Sequence, residues 1–494
     1  MKNKFFFLIL ISYTILQFFT WSVGHNWGGD FASYIMQSIA ISDGDIEGFF
    51  LKNSLTMSKS SNPLGPVNYP WGLPIMLEPF YKFFGFNISL FKSLILASFI
   101  CFLIVIWNIF ENEFSTYERF IYVSIFAFNP YLLKFGNQIL SDIPFLFFST
   151  LSVYLLIKLQ KEKSINMAIF ISIVLGICFM WSTAIRTNGI LLPFSYSIYL
   201  LTTLMVNYFS KLKKIKLELL TLKNFTIEIR MVIYLLPLVF FFLPNWYFSR
   251  TMINDQTIHF DFLKYISFKT IFTQAVYNLI IIKNFFGSNY LNIILYILSL
   301  PFVFMGLKKK WPTSIFIIIY VSSILVLYTI WPFRQGLRFL IPLLPFYIYF
   351  FIIGIRSISD FSSNSNLQSK KLIGNFLILV FFLTSLLQIN LNYKNNFRLI
   401  DGPYNDNSRE MFNFIRNNVS QTEIVVFRKP RVMTLLTDKY SIMYNDINDF
   451  IEKNWYVVDK KNTMNIDLNR NSFFKKNPAS IYFENKQFII YKFD

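Results

Sequence analysis

Long apolar runs dominate the chain and are separated by short polar segments. A helix needs about 20 apolar residues to cross the hydrocarbon core of a bilayer. About eleven runs approach that length, and they predict a polytopic α-helical membrane protein. The predicted spans lie near 5–23, 88–108, 119–135, 139–158, 165–183, 188–206, 231–249, 288–306, 312–331, 338–355 and 372–390.

Two of these runs have alternative interpretations. The first follows Met-Lys-Asn-Lys, as a signal peptide would, but it is longer than the usual apolar core of a signal peptide. We therefore expect an uncleaved first span. The runs 119–135 and 139–158 are separated by only a few residues, which leaves open that part of this pair is re-entrant.

Composition supports the membrane assignment. Hydrophobic residues make up 54% of the 494 residues and charged residues 15%, against about 25% charged residues in a typical soluble domain. The two cysteines, Cys101 and Cys178, lie inside apolar runs, which excludes a disulfide scaffold and a cysteine-based zinc site.

The distribution of basic residues predicts the orientation of the chain. The net charge of +19 would suggest nucleic acid in a soluble protein. Here the dense clusters of basic residues fall in loops that all share one side if the N-terminus is cytoplasmic, so we expect no nucleic-acid partner. Asn, Lys, Ile and Phe are abundant, which is typical of a protein from an AT-rich bacterial genome. We therefore expect the membrane to be a bacterial inner (plasma) membrane. The loop clusters are Lys2 and Lys4; Lys158, Lys161 and Lys163; Lys211, Lys213, Lys214 and Lys216; Lys308 to Lys310; and Arg356, Lys370 and Lys371.

Two polar parts are predicted on the outer, periplasmic face. The first is the loop 24–87, within the membrane domain 1–390, and its stretch Trp71 to Phe84 is expected to lie in the membrane interface. The second is a small α/β domain over 391–494. Its pattern predicts a helix at 407–418, a strand at 423–427, a helix that opens at Pro430 and a strand at 488–491.

Five ionisable residues fall at the outer ends of predicted spans, namely Asp30, Asp142, Arg186, Arg334 and Arg338. Charged groups at membrane depth are costly, so they tend to pair or to line a site. Two acids and three arginines at one depth suggest an acid base beside an anion-binding cradle, because an arginine fork binds phosphate oxygens. Simple helix caps for the acids and boundary anchors for the arginines remain alternatives.

Other residues near Asp30 are weaker candidates. His25 and Tyr34 are included as candidate substrate-binding residues, although a histidine so close to Asp30 is more typical of a local hydrogen-bond partner. The sequence contains no phosphate-binding P-loop, dinucleotide fingerprint or serine-hydrolase elbow. These absences speak against a nucleotide-driven pump and against a Rossmann-type transferase.

The order of these motifs resembles the GT-C superfamily of polytopic glycosyltransferases, in the branch of protein O-mannosyltransferases and aminoarabinose transferases (glycosyltransferase family 39 and relatives). Gly29 to Tyr34 matches the acidic first-loop motif, although Phe31 and Ala32 follow Asp30 where many relatives have an acidic pair. Ser141 to Phe145 matches the second acidic motif, and Arg338 to Pro345 resembles the basic segment that opens a late span. Ile424 to Arg431 resembles the tail of some bacterial relatives.

The resemblance implies an inverting sugar transfer at the outer leaflet. The donor would be a polyprenyl-phosphate-linked sugar from the membrane, and the acceptor a hydroxyl of a lipid, glycan or protein. Asp30 would accept the hydroxyl proton, and Asp142 would orient the acceptor or an arginine. Arg186, with Arg334 or Arg338, would hold the leaving phosphate. No cofactor is expected; a divalent metal is compatible with the sequence but is not indicated by it.

Three other classes stay open from the sequence. A transporter or flippase of lipid-linked glycans would place its charged groups nearer the bilayer midplane. A polymerase or ligase would share the chemistry but transfer a preformed chain. A membrane-anchored assembly protein would use its tail to bind partners.

Overall fold

The computed structural model describes ten stretches of the chain. Some of the predicted positions are not covered by these stretches. Outside them lie the basic residues Lys214, Lys216, Lys370 and Lys371, and at their edge lies the predicted domain boundary at 390/391. The described residues are 2–60, 65–213, 227–251, 266–287, 290–311, 313–360, 378–390, 402–443, 454–460 and 479–493.

The described residues before residue 391 are helical wherever they have regular structure. Two 3₁₀ segments, Thr187–Ile190 and Gly336–Leu343, interrupt the α-helices. The α-helices are α1 (Lys2–Phe19), α2 (Gly29–Asp43), α3 (Ile46–Lys59), α4 (Gly72–Phe84), α5 (Ile88–Ile109), α6 (Thr116–Ala127), α7 (Pro130–Gly136), α8 (Asp142–Lys161), α9 (Ile165–Ile185), α10 (Leu191–Lys213), α11 (Ile227–Thr251), α12 (Phe268–Ile281), α13 (Lys283–Phe286), α14 (Tyr290–Lys310), α15 (Ile315–Ile330), α16 (Leu344–Asp360) and α17 (Ile378–Asn390).

Seven of the helical segments described are long and apolar enough to cross a membrane, and each overlaps a predicted run. The helices over 4–19, 315–330 and 378–390 are apolar but shorter, and they overlap three further runs. Candidate spans are Ile88–Ile109, Asp142–Lys161, Ile165–Ile185, Thr187–Met205, Ile229–Trp246, Asn292–Lys310 and Gly336–Ser357. The prediction of a polytopic helical membrane protein is therefore confirmed.

The predicted run 119–135 is not one continuous helix. It divides at Phe128 and Asn129 into α6 and α7. The side chain of Asn129 accepts hydrogen bonds from the backbone N–H groups of Tyr131 and Leu132, and Pro130 opens the new helix. A helix of 12 residues is only about 18 Å long, which is too short for a core of about 30 Å.

The stretch predicted to lie in the interface forms α4, whose first half packs against the protein, whereas Phe83 and Phe84 at its end are exposed. Gly72 lies so close to α9 that a Cβ atom there would be 2.5 Å from the backbone carbon of Ala184. The α4 helix also packs against α2. Its contacts therefore fix the position of the loop that precedes it.

The C-terminal part forms a small sheet domain, as predicted. The strands are β1 (Ile424–Val426), β2 (Tyr440–Ile442), β3 (Trp455–Asp459), β4 (Ala479–Glu484) and β5 (Phe488–Phe493). Their order is β2-β1-β3-β5-β4, with β1 parallel to β2 and β3, and β5 antiparallel to β3 and β4. Two helices, α18 (Asp406–Asn418) and α19 (Pro430–Thr437), accompany the sheet.

The sheet domain docks on the polar segment that follows α1. The ring of Trp27 lies 5.7 to 6.3 Å from the rings of Phe412, Phe427 and Phe488. The α19 helix packs against α2. Lys52 of α3 forms an ion pair with Asp438, at the end of α19. The domain is therefore held directly above the first loop rather than at a distance from the membrane helices.

Candidate functional site

Asp30 occupies the first turn of α2 and does not act as its cap. The helix begins at Gly29, and the capping position, Gly28, makes no side-chain cap. The carboxylate instead accepts 2.7 Å hydrogen bonds from Arg338 Nη1 to Oδ2 and from Tyr69 Oη to Oδ1. Both of its oxygens are therefore engaged by groups from distant parts of the sequence.

Asp142 begins α8 and is almost completely buried, with 1% of its side chain exposed. Its Oδ1 accepts a hydrogen bond from Arg186 Nη1, and its Oδ2 accepts one from Arg338 Nε at 2.7 Å. A buried carboxylate is costly unless it is paired and hydrogen-bonded. The two arginines provide that pairing.

Arg338 therefore bridges the two acids. It lies in the 3₁₀ segment that opens the Gly336–Ser357 span, and one guanidinium contacts both Asp30 and Asp142 at 2.7 Å. Planar guanidinium groups suit such two-point contacts. Among the described residues, the second terminal nitrogen of Arg338 has no hydrogen-bond partner, so it is available to a ligand.

Arg186 follows the last residue of α9, where the chain turns from one span into the next. Its guanidinium lies 5.9 Å from the ring of Phe145 and 5.6 Å from the ring of Phe339, within the range of a cation–π contact. Phe339 in turn stacks on Tyr328 at 4.5 Å. The cluster of acids and arginines is thus bounded by aromatic surface on one side.

Arg334 lies outside the ion-pair cluster. It is exposed, its Nε donates to Gln274 Oε1 at 3.0 Å, and its guanidinium lies 4.7 Å from the ring of Tyr277. Gln274 also donates to the carbonyl of Pro332 at 2.7 Å. These contacts attach the segment before the 3₁₀ turn to α12. A substrate contact of Arg334 stays a prediction.

His25 is buried and has protein partners on both ring nitrogens. Nε2 accepts from the N–H of Ile139 at 3.0 Å, Nδ1 lies 3.1 Å from the carbonyl of Asn26, and the ring stacks on Phe31 at 3.9 Å. Burial lowers the pKa of His25 to about 3, so it stays neutral near pH 7. The histidine thereby attaches the first loop to the segment before Asp142, and direct substrate binding stays a prediction.

Tyr34 lies one turn after Asp30 and makes a similar connection. Its hydroxyl donates to Ser141 Oγ at 3.0 Å. Burial raises its pKa to about 12, so it is a neutral hydrogen-bonding group. His25 and Tyr34 together hold α2 against the start of α8, and this places Asp30 and Asp142 on either side of Arg338.

Two residues that the sequence analysis did not assign complete the site. Tyr69 donates to Asp30, and Gln37 fixes its backbone through hydrogen bonds of 2.8 and 3.1 Å. Arg431, from the start of α19, donates through Nη1 to Tyr69 Oη at 3.3 Å. A neutral tyrosine in a Pro-rich loop carries no sequence signal for catalysis, and Arg431 becomes relevant only through the docking of its domain.

The surroundings of Asp30 favour its ionised form. Burial by itself would raise the pKa of the carboxyl. The positive charge of Arg338, the hydrogen bonds from Arg338 and Tyr69, and the charge of Arg431 outweigh this effect, so the pKa lies below its usual value. Asp30 is therefore a carboxylate at neutral pH.

Within the stretches that the structure describes, no group of three or more His, Cys, Asp and Glu side chains is arranged to hold a metal ion. The two acids of the site each contact arginine instead.

Comparison with solved structures identifies the fold. The crystal structure of ArnT from Cupriavidus metallidurans bound to undecaprenyl phosphate is similar over 99% of this chain and 98% of its own, with a TM-score of 0.61 and 10% sequence identity. Its apo structure gives a TM-score of 0.56 at 10% identity, over 98% of this chain and 97% of its own. The archaeal oligosaccharyltransferase AglB from Archaeoglobus fulgidus, in complex with an inhibitory peptide and a dolichol-phosphate, is similar over 89% of this chain and 64% of its own, with a TM-score of 0.52 and 10% identity.

These neighbours are membrane glycosyltransferases with the GT-C fold, and the chain shares that fold along nearly its whole length. The fold expected from the sequence motifs is therefore confirmed. No family model matches the sequence, and no curated protein matches it.

Proposed function

We propose that this protein is an integral membrane glycosyltransferase that moves a sugar from a polyprenyl-phosphate donor to a hydroxyl acceptor, with inversion, at the outer leaflet of the inner membrane. The observation that carries the proposal is the bridge from Arg338 to both Asp30 and Asp142, at 2.7 Å each. The shared fold supports it, since the ArnT structure contains undecaprenyl phosphate and the AglB structure a dolichol-phosphate.

The donor phosphate would bind to Arg338 and Arg186. Arg338 has a terminal nitrogen without a partner among the described residues, and both arginines already point toward one buried acid. A phosphate bound there competes with the carboxylates for the guanidinium hydrogens. Donor binding would therefore weaken the hold of Arg338 on Asp30 and make this carboxylate a better proton acceptor.

In the transfer step, the acceptor oxygen forms a bond to the anomeric carbon while the bond from that carbon to the phosphate oxygen breaks. Asp30 takes the hydroxyl proton, a contribution of about 10² to 10⁴ in rate. The electron pair of the broken bond stays on the polyprenyl phosphate, whose developing charge the arginines stabilise. Asp142 keeps the two arginines in place. No cofactor takes part in these steps.

The position of the charged groups favours transfer over transport. Asp142 is the first residue of its span, Arg186 lies directly between two spans, and Arg338 is the third residue of its span. Transporters place such groups near the bilayer midplane, at broken helices. Groups at span ends fit a reaction at the membrane boundary with a donor that enters sideways from the lipid.

The test is replacement of the proposed base. Asp30→Asn should lower transfer by at least about 100-fold, because the amide cannot accept the proton. Mass spectrometry of envelope lipids and glycans would measure this in a deletion strain complemented with each variant. The matched control is Asp43→Asn, an exposed acid at the other end of the same helix.

Normal product levels with Asp30→Asn, in a strain where the deletion removes the product, would overturn the assignment of the base. The same spectra separate the alternative of a polymerase or ligase. A product heavier by a preformed chain rather than by a single sugar would favour that alternative.

A further inference from the structure

Arg431 is a buried cation from the sheet domain. Only 3% of the residue is exposed. Its Nη2 donates to the carbonyl of Pro66 and lies 3.4 Å from the sulfur of Met57, and its guanidinium lies 5.3 Å from the ring of Tyr69. Among the described residues, no carboxylate forms an ion pair with it. A buried charge without a paired acid is costly for the fold.

One hydroxyl connects Arg431 to an acid. Tyr69 Oη accepts from Arg431 Nη1 at 3.3 Å and donates to Asp30 Oδ1 at 2.7 Å. Hydrogen bonds in such a chain polarise one another, because the accepted bond makes the hydroxyl a stronger donor. The cation therefore acts on Asp30 through Tyr69 as well as through space.

We propose that the sheet domain is part of the active site, and that Arg431 is a positioning residue that orients the Tyr69 hydroxyl onto Asp30 and holds this carboxylate in its ionised form. The inference rests on the proposed function, since it assigns to Asp30 the role of base. It also gives the docking of the sheet domain a catalytic purpose, because Arg431 reaches Tyr69 only when α19 lies on α2 and α3.

Asp30 is surrounded by several titratable or charged groups. Arg338 reaches it from the start of the Gly336–Ser357 span, and Tyr69 reaches it from the first loop. The other groups that influence it or are influenced by it are Arg431 and Lys429 at the start of α19, and Tyr34 and His25 on its own side of the site. Loss of Arg431 leaves Arg338 in place, so Asp30 would still be paired but less strongly stabilised as an anion.

The test measures protonation of Asp30 in the full-length protein in lipid nanodiscs. A hydrophobic carbodiimide modifies protonated carboxyl groups, and peptide mass spectrometry gives the modified fraction of Asp30 against pH. With Arg431→Gln, the midpoint should move to higher pH by about half a unit or more, because one cation has been removed. Arg431→Lys keeps a positive charge, so its midpoint should move less than that of Arg431→Gln. The control is Arg416→Gln, an exposed arginine that also contacts α19, through the carbonyl of Leu436.

Tyr69→Phe gives an independent measurement if Arg431→Gln does not fold. It removes the connecting hydroxyl, so the midpoint should rise, and Arg431→Lys should then have less effect on this background than on the wild type. An unchanged midpoint in folded Arg431→Gln, or in Tyr69→Phe, would overturn the inference.

Transfer activity separates the inference from the proposed function. In an active enzyme the acidic limb of the pH profile should move upward with Arg431→Gln, since Asp30 is protonated at higher pH. If the carbodiimide midpoint moves but the wild-type protein transfers no sugar, the proposed function fails while the positioning of Asp30 by Arg431 stands.

Discussion

At the scale of single residues, the site depends on one guanidinium shared by two acids. Arg338 contacts Asp30 and Asp142 through different nitrogens, and only 17% of its side chain is exposed. Lysine is a point charge and cannot reproduce this geometry. The two acids are therefore held together by the shape of the arginine as well as by its charge.

We expect Arg338→Ala to lower the free energy of unfolding by about 3–5 kcal/mol, because it removes the ion-pair partner of Asp30 and one of the two partners of the buried Asp142. Arg338→Lys should recover part of the stability but little of the donor binding. Thermal unfolding in nanodiscs and binding of undecaprenyl phosphate would measure the two effects. The control for stability is Arg334→Ala, an exposed arginine outside the cluster, and equal losses at both positions would contradict the central place of Arg338.

The pKa values predict the pH dependence of transfer. His25 has a pKa of about 3, so no step should occur near pH 6.5, where an ordinary histidine titrates. Asp30 is active when ionised and its pKa is lowered, so activity should persist through weakly acidic pH and fall only as pH passes below that lowered pKa. A pH profile of initial transfer rates checks this, and a histidine-like step that survives in His25→Asn would point to a different base.

At the scale of elements, close helix contacts hold the site residues in position. A Cβ on Gly306 of α14 would lie 2.0 Å from the carbonyl oxygen of Phe350, and one on Gly354 of α16 would lie 1.8 Å from the carbonyl oxygen of Phe302. The two glycines form a reciprocal contact, which lets the backbones approach closely, as small residues do between membrane helices. This contact supports the span whose other end carries Arg338.

Gly306→Ala or Gly354→Ala should destabilise the protein by about 1–3 kcal/mol, because backbone atoms must move apart. Both changes act on one contact, so the double variant should cost less than the sum. Thermal unfolding in nanodiscs provides the measurement. Gly29→Ala is the control, since a Cβ at Gly29 meets nothing within 4 Å, and full additivity would show that the two glycines act separately.

At the scale of the whole molecule, the two ends of the helix bundle have different charges and contacts. The site lies at the first residues of α8 and of the Gly336–Ser357 span, and Lys161 and Arg356 lie near their far ends. At that far end Arg356 pairs with Glu118 at 2.6 Å, and Lys310 pairs with Glu113 at 2.9 Å. The positive-inside rule applied to this basic end predicts that the site and the sheet domain lie outside the cytoplasm.

Labelling with a membrane-impermeant maleimide tests this orientation. Lys163→Cys and Lys486→Cys introduce exposed thiols at the basic end and in the sheet domain. We expect labelling at position 486 in cells with a permeabilised outer membrane and an intact inner membrane. Position 163 should be labelled only after the inner membrane is permeabilised. The unsubstituted protein, with only Cys101 and Cys178, is the control. The reverse pattern would place the proposed reaction on the cytoplasmic side.

The apolar runs, the two helices and the strands β1 and β5 of the tail, and the candidate residues Asp30, Asp142, Arg186 and Arg338 follow from the sequence alone. Span length and amphipathic period are local properties, and charged groups at span ends are visible without a structure. The apolar run 119–135 is divided into two helices, because Asn129 and Pro130 begin a new helix there. Local capping in this case outweighed the apolar composition.

Only the tertiary structure decided which polar groups meet. Arg334 and Arg338 are one turn apart in sequence, yet Gly336, with φ +66°, turns the chain between them, and only Arg338 reaches the acids. Tyr69 and Arg431 are 362 residues apart, and no periodicity connects them. Their contact arises because the sheet domain packs on the first loop, and a contact between separately folded parts depends on the complementarity of their surfaces rather than on any local pattern.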